Sequence, residues 1–138
     1  MSDSTLRVLL AMVLILHGIG HGLGILSTFG LKLSRTQSSH SPILNNLLGD
    51  SIANGVGLVL WVVLLVVFVV AGIGLLGYGF TAQWQTIAIF ASILSLIGLF
   101  FYWNAFPLLF PHKIGAIAAD IGTIVCLVWL KWPSSIIN

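Results

Sequence analysis

Apolar positions run along the chain in four long blocks separated by polar or Pro/Gly breaks, the pattern of helices that cross a bilayer. The first block covers residues 5–28, and the second covers 51–76, ahead of "GYGFTAQ". The third covers 83–106 and stops at "FPLLFPHK", where Pro107 and Pro111 cannot continue a helix. The fourth covers 113–132, with Pro133 beyond it. Each block is long enough to cross a hydrocarbon layer of ~30 Å. The pattern predicts an all-α fold: an integral membrane four-helix bundle forming one domain over 1–138. The connections after the second and third blocks are short, so neighbouring spans should run antiparallel in up-down order. The loop at 29–49 is the only long one; its half "SRTQSSHSP" is polar, and its half "ILNNLLG" suits a short interfacial turn of helix.

Composition narrows the solvent to lipid. The chain has 138 residues, 59% hydrophobic and 6% charged, with a mean hydropathy of +1.15. A soluble domain carries about 25% charged residues, and here none lies between Asp50 and Lys113. The formal charge of +2 comes from five basic and three acidic residues, spread over loops and ends apart from Asp120. It forms no basic patch, so nucleic acid is not an expected partner. Trp84, Trp103, Trp129, Trp132, Tyr78 and Tyr102 fall near span ends, as interfacial aromatics do. Arg7 followed by the apolar Val8–Leu16 resembles a signal peptide, but the apolar character continues past the histidines and no A-x-A-like site follows. The block is read as a retained span of a multi-pass plasma-membrane protein. Lys32, Arg35 and Lys113 mark the long-loop side against Arg7 and Lys131 on the other, a margin too small to orient the bundle.

A few polar residues interrupt the blocks. In "HGIGH", His17 and His21 share one helix face with Gly24 and Thr28. Counted from Thr28, His21 lies seven residues deep and His17 eleven; counted from Lys113, Asp120 lies seven deep in the fourth span. Equal depth makes His21 the expected partner of Asp120, with Lys113 as the alternative. An ionised aspartate in a bilayer is expensive, so Asp120 must face inward. The second span brings Asn54 down from the loop-side end, and the third carries Ala88, Ala91, Ser92, Ser95 and Tyr102 along one side. The expected cluster is His17, His21, Asp120, Asn54 and Tyr102, with Asp50, Asn104 and Lys113 in support. Gly18 with Gly22, and Gly20 with Gly24, should let the first span pack closely.

Three chemistries fit such a cluster. It can be a buried hydrogen-bonded pair that fixes helix register. It can be a proton, ion or polar-substrate site. It can hold a metal through His17, His21 and Asp120, a two-histidine, one-carboxylate set. "HGIGH" lacks the glutamate of the zinc-protease helix. His40 and His112 fall in loops, which disfavours a haem held by histidines on two facing helices. The glycines lie mid-span and make no phosphate cradle. Ser92 and Ser95 read as helix-contact residues, Trp61 and "LFFYW" as packing and interfacial groups, and Asn54 as a helix-contact amide. Cys126, alone in an apolar run, reads as a packing residue.

"LHGIGHGLG", "YWNAFPLLFPHKIGAIAAD" and "WLKWP" together resemble a group of small bacterial four-span membrane proteins with a His-Gly-x-x-His opening and a Trp-Asn pair before a Lys-x-Gly…Asp segment. The resemblance covers essentially the whole chain and implies no activity. It draws attention to His17, His21, Trp103, Asn104, Lys113, Gly115 and Asp120. The topology is also similar to that of DoxX-type four-helix proteins. The expected function is that of a non-enzymatic accessory or structural membrane component, with no cofactor, in contact with lipid and open to self-association or a larger complex. A small transporter or channel-like protein is the alternative, and a membrane metal or redox site the third.

Overall fold

The computed structural model describes residues 3–132. Pro133 and the chain after it lie outside the described residues. The architecture is all-α, and its four long antiparallel helices are each long and apolar enough to cross a membrane. The first is α1 (Asp3–Gly20), continued by α2 (Gly22–Thr28). His21 sits at their junction with φ −65° and ψ −15°. There the ladder tightens, with His21 N–H on Gly18 O and Gly24 N–H on His21 O, both at 3.0 Å. The second long helix is α4 (Asp50–Leu75) and the third is α5 (Trp84–Phe101). The last span runs from Leu109 to Trp129, with α6 (Ile114–Ile124) as its regular centre.

The long loop is more ordered than its composition suggests. Its apolar half folds as α3 (Pro42–Leu48), with Pro42 in the first turn and Ser41 Oγ accepting from Leu44 N–H at 3.2 Å. Its polar half is pinned by Gln37, which is fully buried. Gln37 Nε2 donates to Leu23 O (3.1 Å) and Ala105 O (3.0 Å), and Oε1 accepts from Leu33 N–H (2.7 Å). One amide thus binds three backbone groups, from the first span, the long loop and the turn after the third helix.

Two span boundaries differ from the sequence reading. The third helix ends at Phe101 rather than 106, because Tyr102 leaves the helical region (φ −117°, ψ 48°) ahead of a tight turn at Trp103–Ala105. The fourth span begins at Leu109 rather than 113. Phe110 is extended (φ −120°, ψ 137°), and Pro111 stands at the entry of the helix, where its missing N–H costs nothing.

Each long helix packs on its neighbour in the chain: α1 and α2 on α4, α4 on α5, α5 on α6. The core lies around α4, from which Trp61, Leu64 and Phe68 point inward with no exposed surface. Close approach needs glycine in the first span: a Cβ on Gly18 would stand 2.9 Å from Phe68 Cβ, and one on Gly24 2.6 Å from Trp61 Cγ. The last span is different. In its most apolar stretch 11% of residues are buried, against 28%, 33% and 39% in the other three. It leans on α5 and leaves an open seam towards α1.

Candidate functional site

The seam is crossed by a hydrogen bond. His17 Nε2, from α1, lies 2.8 Å from Asp120 Oδ1, from α6. Ser95 Oγ, from α5, donates to the other oxygen, Asp120 Oδ2, at 2.6 Å. His21 Nε2 lies 3.3 Å from the same hydroxyl. Asp120 has no exposed surface and His17 keeps 11% of its side chain exposed.

The donors can be assigned from the carboxylate outward. An ionised carboxylate only accepts, so His17 Nε2–H and Ser95 O–H both donate to it. Ser95 has then spent its proton, and its oxygen accepts from His21 Nε2–H. The result is a converging network: His21 to Ser95 to Asp120, met by His17 from the other side. With the acid as acceptor, this arrangement assigns a proton to Nε2 of both imidazoles. His21 Nδ1 is left as a bare acceptor, buried and without a partner.

Aromatic rings hold His21 in place. Its ring lies nearly parallel to Trp61 (12°, centroids 5.7 Å apart) and to Phe68 (14°, 5.6 Å), with Phe106 edge-on at 5.9 Å. Trp61 and Phe68 are seven residues apart on α4 and so share one face, with the imidazole between them. His17 meets Phe68 edge-on at 4.5 Å and His21 at 5.0 Å. Rotation of either imidazole would drive it into a ring.

The expected partner of Asp120 therefore changes from His21 to His17. Because the last span starts at Leu109, Asp120 is eleven residues in, the count that separates His17 from Thr28. His21 reaches the acid only through Ser95, which the sequence pattern marked as a helix contact. Lys113 is not the partner either; its Nζ lies 4.9 Å from the Trp103 ring centroid. Tyr102 packs edge-on against Trp61 at 6.0 Å, but its hydroxyl donates to Ala53 O at 2.5 Å. Asn54 Oδ1 is buried without a partner. Asp50 Oδ1 accepts from Asn45 Nδ2 at 2.7 Å and so fastens α3 to the start of α4. The Asn104 side chain is exposed, while its carbonyl accepts from Ser38 N–H at 2.7 Å.

Among the described residues, no group of three or more His, Cys, Asp and Glu side chains is placed to hold a metal ion. The donor directions explain this, since one Nε2 faces the acid and the other faces Ser95.

Two cavities flank the His17–Asp120 contact along the seam. One, of about 140 Å³, is lined by His17, Gly20, His21, Phe106, His112 and Ala116 among others. His112 Nδ1 is also buried without a partner. The other cavity, of about 230 Å³, is apolar, with Leu10, Leu14, Ala119, Thr123, Cys126 and Leu127 in its wall. Two features hint at Ser95's role, its place on the small-residue face of α5 and its hydroxyl; for Gln37 no local pattern signals burial. Compared with known proteins, the chain matches no family model, no curated protein and no solved structure.

Proposed function

We propose that this chain is a non-enzymatic integral protein of the plasma membrane, an accessory or structural component whose buried polar cluster closes its own bundle. The observation that carries this reading is the His17–Asp120 hydrogen bond at 2.8 Å across a seam where α1 and α6 pack little. Lipid gives no hydrophobic drive for α6 to join the other helices, so a polar contact and close packing must supply it. The network has the composition of such a clasp: every donor in it converges on one acid, and three helices contribute.

The test is His17→Leu, read by thermal unfolding in detergent and by proton flux in proteoliposomes. Leaving one oxygen of a buried carboxylate unpaired costs about 1–3 kcal/mol. The expected result is a clear fall in melting temperature, with flux equal to that of wild-type vesicles. An unchanged melting temperature together with loss of a flux that the wild type supports would replace the clasp by a conducting relay.

A further inference from the structure

The two cavities along the seam differ in kind. The one on the loop side is walled by three histidines, two of which, His21 and His112, carry a buried Nδ1 that no protein group satisfies. Buried polar atoms are almost always hydrogen-bonded, to protein or to ordered water. A cavity of about 140 Å³ has room for several waters at about 30 Å³ each. His21 Nδ1 is an acceptor by the direction of its network, and a water admitted beside it would supply the donor it lacks. His112 lies at the entry of the last span, beside the exposed Leu109 and Phe110, and marks the end of the cavity nearest the long loop.

We propose that this cavity is a hydrated vestibule, entered past His112, through which water from the loop side of the bundle reaches the His17–Asp120 pair. The inference goes beyond the clasp and does not rest on it, because a wet vestibule is compatible with a closed or an open seam. The chain itself supplies polar walls: His112 and His21 line the cavity, and His17 touches both the cavity and the acid. The ionisable groups facing the pair are these histidines; Lys113, from the same entry segment, sits over Trp103. From α4 and α5 the pair meets Phe68 and Ser95, neither of which titrates in this range. On the far side the apolar cavity offers no comparable groups, so access is one-sided.

Thiol accessibility tests the water. A thiol reacts with a charged, membrane-impermeant methanethiosulfonate only where it can ionise, that is, where water reaches it. Gly20 lines the vestibule and has nothing within 4 Å of the position a Cβ would take, so Gly20→Cys fits. Ala116→Cys, on the opposite wall, is the second reporter. Both are made with Cys126→Ala in sealed proteoliposomes, and native Cys126, in the apolar cavity, is the dry control in otherwise wild-type protein. The expected result is labelling at Gly20→Cys and Ala116→Cys from one side of the vesicle, at least tenfold faster than at Cys126. Failure of both reporters to react overturns the proposal, and so does reaction of Cys126 at the same rate, which would make the whole seam wet. The His17→Leu melting test can fail independently of any of these outcomes.

Discussion

Gly20 and Gly24 lie one helical turn apart in the same apolar run, yet alanine should act oppositely at the two. A Cβ on Gly24 would stand 2.6 Å from Trp61 Cγ and Cδ2 and 2.7 Å from Cδ1. Ordinary carbon contacts begin at about 3.5 Å, so the indole must retreat by roughly 1 Å. It has nowhere to go. Trp61 has no exposed surface, and its far edge lies 3.3 Å from where a Cβ on Gly98 would be. Phe106 stands edge-on to it at 5.3 Å, and His21 stacks against it at 5.7 Å. Overpacking of this kind costs about 1–3 kcal/mol. A displaced indole also presses on His21 and hence on the Ser95 bond. Gly20→Ala meets open space and gains helix propensity, up to about 1 kcal/mol. Melting in detergent with tryptophan emission as the probe compares the two directly. Gly24→Ala should melt several degrees below wild type with a shifted emission maximum, while Gly20→Ala melts at or above it. Equal melting temperatures for the two variants would refute the packing argument.

Two further substitution pairs test the polar network and the loop. Ser95→Ala removes the donor to Asp120 Oδ2 and should cost about 1–2 kcal/mol by detergent unfolding. Ser92→Ala deletes a buried hydroxyl that has no partner and should be neutral or stabilising; matched losses at both positions would show that hydroxyl volume, not hydrogen bonding, matters. Gln37→Leu removes the side-chain partner of Leu23 O, Leu33 N–H and Ala105 O, so limited proteolysis should cut residues 31–41 markedly faster than in wild type. His40→Ala, an exposed substitution in the same loop, should leave cleavage unchanged.

Hydropathy made the four spans legible because lipid imposes length and apolarity on every crossing helix, whatever it packs against. Pairing across helices was harder, since it depends on where each count begins. Taking Lys113 as the start of the last span set Asp120 level with His21. The true start at Leu109 is four residues earlier, about one turn, and the partner moves by one turn to His17. Pro111 caused the error: it reads as a stop, yet a proline at the entry of a helix is accommodated. Ser95 was visible on the right face of α5, but a small hydroxyl looks the same whether it is a spacer or a donor. Gln37 was illegible in principle. Its burial depends on the turn at Trp103–Ala105 and on the end of the first span, both remote in sequence.

The sparse embedding of the last span bears on how the molecule is made. Translation delivers the first three helices before the fourth, and they already hold one another around α4. The late arrival brings an acid that lipid will not tolerate, and the receptor for it, an imidazole and a hydroxyl, is by then assembled. On the clasp reading, the fourth span joins the other three in a docking step made through the His17–Asp120 contact, and a chain that misses it keeps an unpaired acid among acyl tails.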